Sequence, residues 1–225
     1  ILINENSELH VIEYTINESQ FNFISNVHEN IILKKNSKLK NLHLQNNKSN
    51  GFFHKFVRNK LFENSDYSNL IFSSGLKFNK LDIECDLVEN ECNCNIMSAL
   101  FLNKDEHQEI KTRINHLAPN CRSYQKVKKV LNSESKGIYQ GKIYVKDIAQ
   151  KTNAYQLSKA LLINDNAEFN SKPELEIYAD DVKCTHGSTS GNIDEDSLYY
   201  LMSRGLNRED SIKLLIKGFL NDIVE

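Results

Sequence analysis

Short segments in which apolar and polar residues alternate fill the first three quarters of the chain. In the run "LDIECDLV", one face carries the side chains of Leu81, Ile83, Cys85 and Leu87, and the other face carries Asp82, Glu84 and Asp86. An alternation with period two is typical of a β-strand that is buried on one face. A dozen similar runs follow one another, and the breaks between them hold Asn, Ser, Asp and Gly, which favour turns.

This short and regular spacing of strands predicts an all-β core, and it leaves a sandwich, a barrel and a solenoid open. The chain contains only two prolines, so the strands are hardly interrupted. The first long run, "ELHVIEYTI", is apolar on both sides, with His10, Ile12, Tyr14 and Ile16 against Leu9, Val11 and Glu13. We therefore expect this strand to be covered on both faces.

The pattern changes near the C-terminus, where residues 192–225 predict a helical module after a core of residues 1–191. A first helix in "DEDSLYYLMSRG" has acids in its first turn and ends at Arg204 and Gly205. Asn207 is the expected N-cap of a second helix. Its apolar stripe consists of Ile212, Leu215, Ile216, Phe219, Leu220 and Ile223. The stripe either caps the β-core or meets a partner.

Composition excludes several classes of partner. The 225 residues carry a formal net charge of −2, which gives no reason to expect nucleic acid or an anionic membrane. No apolar run approaches the roughly 20 residues that span a bilayer. The five cysteines favour reduced thiols in a cytosol-like compartment. We expect the chain to be part of a longer protein, and we attribute its many Asn, Lys and Ile residues to an AT-rich genome.

The stretch "YADDVKCTHGSTSG", residues 178–191, concentrates reactive side chains but matches no catalytic motif. Thr189 stands where a nucleophile elbow needs Ser. Asp180 and Asp181 are adjacent on an expected strand, so their carboxylates point to opposite faces. The chain has neither a P-loop motif nor an H-E-x-x-H motif.

Metal ligation is a second possibility for the sulfur and imidazole side chains. Cys92 and Cys94 share the face of Ile96, so burial in the core is favoured for them. A set of His107, His116 and Cys121 matches no standard zinc spacing. Cys184 and His186 share a strand face and suit Fe–S or zinc chemistry. Two ligands make at most half a site, so the others must come from elsewhere in the fold or from another chain.

The segment "SKPELEIYADDVKCTHGSTSGNIDEDSLYYLMSRGLNREDSIKLLIKGF" closely resembles the C-terminal signature of the SufB/SufD family of iron–sulfur cluster assembly scaffolds. The likeness extends upstream to "EHQEIKTRINHLAPNC" and so covers about the second half of the chain. "KCTHG" is similar to the K-C-[ST]-H-G motif of the SufD branch. The stretch "LINDNAEFN" lacks the reactive cysteine of the SufB branch, which again favours SufD.

This resemblance implies a right-handed parallel β-helix followed by a helical module. It also implies a non-catalytic scaffold that pairs with SufB through the edge of the β-helix. The family's ATPase, SufC, would bind the C-terminal helices, at Arg204, Gly205, Asn207 and Arg208. No cofactor would be stably bound. A transient Fe–S cluster would form at the SufB interface, with His186 as the candidate metal ligand and Cys184 beside it.

The resemblance further implies a bacterial cytoplasm or the stroma of a plastid or apicoplast. Two alternatives of other kinds stay open. One is a SufB-type scaffold that acts as a homodimer, a state that the isolated chain could also adopt. The other is an enzyme on a parallel β-helix that acts on polysaccharides, for which the diverging acids Asp180 and Asp181 are poorly arranged.

Overall fold

A computed structural model describes residues 1–15, 22–46 and 48–223 of the chain. These residues form fourteen strands and two helices. The strands are β1 (Leu2–Ile3), β2 (Glu8–Thr15), β3 (Ile24–Leu33), β4 (Lys38–Gln45), β5 (Ser49–Leu61), β6 (Asp66–Ser74), β7 (Leu76–Leu87), β8 (Asn93–Leu102), β9 (His107–His116), β10 (Arg122–Leu131), β11 (Lys136–Val145), β12 (Thr152–Leu162), β13 (Glu168–Ile177) and β14 (Val182–Asn192). The helices are α1 (Glu195–Ser203) and α2 (Arg208–Asn221).

The chain alternates between two seven-stranded sheets at every turn. The odd sheet has the order β1-β3-β5-β7-β9-β11-β13, and the even sheet has the order β14-β12-β10-β8-β6-β4-β2. Neighbouring strands are parallel in both sheets, as in the pairs β10–β12 and β9–β11. Each coil therefore stacks on the previous one, which makes the fold a parallel β-helix with two C-terminal helices. The predicted solenoid core is confirmed, and the sandwich and the barrel are excluded.

Asparagines stack at the corners where the chain passes from the odd sheet to the even sheet. Asn6, Asn36, Asn64 and Asn120 have φ values of 57°, 56°, 53° and 59°, a left-handed conformation that asparagine tolerates well. The Asn36 amide donates to Asn6 Oδ1 over 2.9 Å, and the Asn64 amide donates to Asn36 Oδ1 over 2.9 Å. The Asn120 amide donates to Asn90 Oδ1 over 2.8 Å, and Asn90 directly precedes Glu91, the left-handed residue of that corner. We call this stack the corner ladder, and it gives part of the asparagine content a structural role.

In five of these corners the next residue is small and is buried inside the coil. Ser37, Ser65 and Thr152 donate their hydroxyls to the carbonyl oxygens of Lys34, Phe62 and Ala149, each three residues earlier. Cys92 and Cys121 occupy the same place after the corner residues Glu91 and Asn120. All five side chains are buried, and we call their places the inner corner positions. Burial of Cys92 is confirmed here, as is burial of Cys85 and Cys94 on strands β7 and β8.

The interior also contains polar side chains that bond to neighbouring coils. Lys129 is fully buried, and its ammonium donates to the carbonyl oxygens of Gln108 and Ile138 over 3.0 and 2.7 Å. Burial lowers the pKa of Lys129 to about 7 because the charged form loses its hydration. The Lys129 side chain therefore changes between its charged and its neutral form near physiological pH.

The first strand of the even sheet does not have the double cover that its sequence predicted. Ile12 is 72% exposed, and Leu9 and Tyr14 are also exposed. The prediction was wrong because β2 ends the sheet: it pairs with β4 alone, and its outer face has no covering element among the described residues. Ile16, which was expected to continue this strand, lies outside the described residues.

The start and end of α1 and the start of α2 lie where the sequence predicted, whereas α2 ends at Asn221, before Ile223 of the predicted stripe. Asp194 caps α1 by accepting the Ser197 N–H over 3.0 Å, and Arg204 is the C-cap. Gly205 follows with φ of 97°, the left-handed conformation that ends many helices. Asn207 caps α2 by accepting the Asp210 N–H over 2.9 Å. In the part of the chain that the structure covers, no helix is long and apolar enough to cross a membrane.

The C-terminal end of α2 is bound to the outer face of the even sheet by ion pairs and a hydrogen bond. Lys126 and Lys128 of β10 both form ion pairs with Asp222, the former over 2.8 Å. Lys128 also donates to the Phe219 carbonyl over 2.5 Å and lies 4.5 Å from the Phe219 ring centre. Burial works to raise the pKa of Asp222, but the bonds from the two lysines outweigh it and hold that pKa below its usual value. One end of the helix pair therefore caps the core.

The corner ladder provides a first test of what holds the coils together. Asn36→Ala should lower the free energy of unfolding by about 2 kcal/mol, because alanine is strained at positive φ and two ladder bonds are lost. Asn36→Gly relieves the strain and should lose less, about 1 kcal/mol. Asn153→Ala, at an exposed site on β12, is the control and should cost under about 0.5 kcal/mol. Urea unfolding would measure all three, and equal losses for Asn36→Ala and Asn153→Ala would contradict the ladder.

The buried lysine predicts a specific pH dependence of stability. Between pH 7 and about 10.4, the unfolded chain keeps the Lys129 proton while the folded chain releases it, so stability rises with pH. This contribution is lost as pH falls through 7. Lys129→Met should remove it, so that stability relative to the wild type falls by at most about 1.4 kcal/mol per pH unit as pH rises.

Urea titrations at pH 7 and at pH 9.5 would measure this difference between the wild type and Lys129→Met. Lys60→Met, which removes an exposed lysine from β5, is the matched control. It should leave the change of the free energy of unfolding with pH as it is in the wild type. If the free energy of unfolding changed equally with pH in the wild type and in Lys129→Met, Lys129 would not titrate inside the fold.

Candidate functional site

The strand that contains Cys184 and His186 lies at one end of the β-helix. β14 pairs with β12 on one side, and it is the terminal strand of the even sheet. In the register, Cys184 stands beside Ala154 and His186 stands beside Gln156. This edge position is compatible with the interface that the family resemblance implies, and the interface itself stays a prediction.

Cys184 and His186 share the strand face that continues the interior of the solenoid. Their neighbours Ala154 and Gln156 are fully buried inside the preceding coil. Because side chains alternate along a strand and parallel neighbours stay in register, Cys184 and His186 point the same way as those two residues. No further coil covers them within the described residues, so His186 is exposed and Cys184 is half-buried. The structure thus brings a thiol and an imidazole to the open end of the core.

The thiol of Cys184 rests partly on apolar neighbours. Together with Val182, it packs against a small cluster that includes Ile143, Val145 and Ala154. Burial raises the pKa of the Cys184 thiol, and a backbone hydrogen bond with Ala154 lowers it only in part. Cys184 is therefore a protonated thiol at neutral pH in the isolated chain, and it becomes a metal ligand only when it loses that proton.

The two acids before β14 are not placed as the sequence predicted. Asp180 and Asp181 lie in the bend between β13 and β14, not on a strand, and both are exposed. Asp181 takes part in the corner through its backbone: its N–H donates to Gln150 Oε1 over 2.9 Å, and its carbonyl accepts the Lys151 N–H over 2.6 Å. The prediction that these residues lie on a strand was wrong, because the backbone of Asp181 bonds the preceding corner instead of a neighbouring strand.

The second candidate ligand set is not brought together. His107 and His116 are the first and last residues of β9, so a whole strand separates them. His116 is buried, bonds Ser123 Oγ over 2.9 Å, and has its pKa lowered to about 3 by burial. His107 bonds Glu109 over 2.8 Å. Across the residues that the structure covers, no three His, Cys, Asp or Glu side chains are placed to hold a metal ion.

The junction between α1 and α2 presents the predicted helix ends on the surface. Arg204, Gly205, Asn207 and Arg208 are all exposed. The Arg204 guanidinium lies 5.2 Å from the Tyr200 ring centre, and Arg208 Nη2 lies 3.9 Å from Glu195 Oε1. Both arginines are therefore held near α1 by weak contacts that a partner could replace.

An exposed apolar surface surrounds this junction, and it was missed in the sequence. It consists of Tyr199, Tyr200, Met202, Leu206 and Leu214, with Tyr199 75% exposed. A cleft of about 440 Å³ between the helices is lined by Tyr200, Leu201, Leu214 and Leu215, with Asp194, Asp196 and Ser197 at its rim. We call these residues the helix-pair surface. Clustered exposed apolar side chains often mark an interaction site, and the adjacent tyrosines opposite Leu198 were the available signal.

Comparison with known proteins agrees with this architecture. Residues 1–219 match the family model described as "SUF system FeS cluster assembly, SufBD core domain". The chain is 33% identical over 193 residues to the iron-sulfur cluster assembly protein SufD of Escherichia coli, which covers 82% of this chain and 45% of that protein. It is 27% identical over 227 positions to the chloroplastic protein ABCI7 of Arabidopsis thaliana, which covers 100% of this chain and 48% of that protein.

A SufBD family protein of Synechocystis is similar to the chain as well, with 29% identity over 207 residues, 90% of this chain and 45% of that protein. The chain thus spans about half the length of the relatives that it matches, at 45% to 48% of each. The family match covers nearly every residue of both the β-helix and the helix pair. The chain therefore belongs to the SufBD family of iron–sulfur cluster assembly proteins.

Proposed function

We propose that this chain is a SufD-type, non-catalytic scaffold subunit that pairs with SufB and SufC to assemble and transfer Fe–S clusters. The observation that carries the proposal is the terminal strand β14, which presents Cys184 and His186 at the open end of the core. The family membership and the similarity to SufD support the same function.

Strand β14 can extend the sheet into a partner. It bonds β12 along one edge, from Val182 to Asn192, and its other edge offers backbone N–H and C=O groups in a row. Addition of a partner strand satisfies such groups and fixes the partner in register. A SufB-type β-helix that ends in a similar strand would continue the even sheet across the interface.

The cluster is cargo in this proposal and not a resident cofactor. Imidazole and thiolate are both good ligands for iron in Fe–S clusters, and His186 and Cys184 supply one of each on the same strand face. His186 is the first choice as a ligand because it is exposed. Cys184 would contribute after partner binding had lowered the cost of its thiolate. The remaining ligands would come from SufB.

SufC would bind the helix-pair surface and the junction beside it. The C-terminal end of α2 is occupied by its contacts with β10, so that end acts as a cap. The opposite end of the helix pair carries the exposed Tyr199 and Tyr200 and two exposed arginines. An aromatic and arginine-rich patch has the composition of binding hot spots.

We propose a bacterial cytoplasm or a plastid or apicoplast stroma as the compartment. The similarity to a bacterial SufD and to a chloroplastic protein supports both locations.

His186→Ala should abolish cluster formation in the complex reconstituted with SufB and SufC, while the complex still assembles, because an exposed ligand is removed without loss of core packing. Visible absorption would measure the cluster and gel filtration would measure assembly. His10→Ala, an exposed histidine on β2 at the other end of the β-helix, is the matched control and should leave the yield unchanged. A normal cluster yield from His186→Ala would remove His186 from the mechanism.

Arg204→Glu or Arg208→Glu should weaken SufC binding by about tenfold or more, since each reverses a charge in the proposed contact. The thermal midpoint should hardly move, because surface substitutions usually change stability by about 0.5 kcal/mol or less. Lys111→Glu reverses a charge at an exposed residue of β9, in the odd sheet, and is the control. Calorimetric titration with SufC and thermal melts would measure both quantities. A large fall in the midpoint with SufC binding intact would show that the helices serve only as a cap.

A further inference from the structure

Two consecutive inner corner positions carry cysteine where their neighbours carry a hydroxyl. Ser37 and Ser65 precede Cys92 and Cys121, and Thr152 follows them. Cys92 and Cys121 belong to adjacent coils, because the Arg122 N–H donates to the Cys92 carbonyl over 2.9 Å. The two thiols are therefore stacked one rung apart inside the same corner.

The positions of the two sulfur atoms are compatible with a covalent bond between them. Both sulfur atoms lie close to the same carbonyl oxygen, that of Glu89, at 3.1 Å from Cys92 Sγ and 3.2 Å from Cys121 Sγ. Adjacent parallel strands lie about 4.8 Å apart, and disulfides join residues whose Cα atoms are about 4.4–6.8 Å apart. One rung of the β-helix thus matches the span of a disulfide.

The two thiols differ in how readily they ionise. A hydrogen bond from the Cys121 thiol, with further bonds from Ser65 and the backbone, lowers the pKa of Cys92. The same bond raises the pKa of Cys121, and burial raises it further. The thiolate is the nucleophilic form of cysteine, so Cys92 is the reactive member and Cys121 is the resolving member. Burial raises the pKa of Cys85 well above its usual value, which leaves that thiol inert.

We propose that Cys92 and Cys121 form a reversible disulfide between adjacent coils when the chain meets a two-electron oxidant such as hydrogen peroxide. The Cys92 thiolate attacks one peroxide oxygen, the O–O bond breaks, and hydroxide leaves, so that Cys92 becomes a sulfenic acid. The Cys121 sulfur then attacks the Cys92 sulfur and expels the sulfenic oxygen, which leaves as water with the Cys121 proton. In sum, two thiols and one peroxide give one disulfide and two waters.

A small oxidant has to pass the turn that covers this corner. Both cysteines are buried, but the residues that close over Cys92 include Glu89 and Glu91, whose side chains are exposed. A brief opening of this turn admits peroxide without unfolding the coils, since local openings cost less than global unfolding. The disulfide would then join two coils covalently and restrict the unfolded chain.

The test treats the full chain with hydrogen peroxide, quenches it with an alkylating reagent, and maps the cysteines by tandem mass spectrometry after digestion with trypsin and a glutamate-specific protease. We expect a cross-linked pair of peptides that contain Cys92 and Cys121, with the loss of two free thiols per chain. We also expect a higher thermal midpoint after oxidation, which dithiothreitol reverses.

Cys92→Ser and Cys121→Ser should each abolish the cross-link and the midpoint shift. Both should fold, because serine occupies the equivalent positions 37 and 65. Cys184→Ser, which removes the half-buried thiol on β14, is the control and should behave as the wild type. A cross-link between Cys85 and Cys94, a cross-link between chains through Cys184, or four thiols that stay free after oxidation would each overturn the proposal.

Discussion

The rung-to-rung hydrogen bonding between coils is the constraint on which the rest of the structure depends. Each strand between the ends of a sheet is fixed by parallel pairing with the strand one coil before it and the strand one coil after it, and the register runs without a break through pairs such as β8–β10 and β10–β12. Because side chains alternate, one slip in register would turn every inward residue outward. The corner ladder opposes such a slip, since its asparagines bond one another across coils at separations of 28 to 30 residues.

The same stacking supplies hydrogen-bond partners for several of the buried polar groups. Ser73 donates to Gln45 over 2.5 Å, and Asn79 donates to Ser73 over 2.8 Å, so polar residues inside the coil find partners on neighbouring rungs. Tyr139, fully buried, reaches Thr112 and Gln125 in the same manner, and burial raises its pKa beyond the usual range. A polar residue is thus tolerated inside where the adjacent coil supplies a matching group.

The sequence predicted the elements well and the stacking poorly. Alternation identified strands such as β7, and capping residues identified both ends of α1 and the start of α2, because these signals are local. Periodicity did not distinguish a solenoid from a sandwich, and the resemblance of "YADDVKCTHGSTSG" to the SufB/SufD family made that choice. The exposure of Ile12 and the burial of Lys129 depend on which coils lie above and below, which a single strand does not encode.

At the candidate site, alternation predicted that Cys184 and His186 share a face, and the register agrees. The corner ladder had a signal in the sequence that went unused: Asn followed by Ser or Cys, as at Asn36, Asn64 and Asn120, recurs about once per coil. Long-range periodicity was therefore the informative scale for this chain, rather than the pattern within each strand.

The helix pair is joined to the even sheet at two points, and this has a mechanical consequence. The chain passes from β14 into α1 with only two residues between them, and the C-terminal end of α2 is bound through Asp222 to Lys126 and Lys128 of β10. In the even sheet, β10 is separated from β14 only by β12. The two helices therefore form a bridge across β12. A force on the exposed tyrosines would reach the strand that holds His186 through the start of α1, and it would reach β10 through the two lysines.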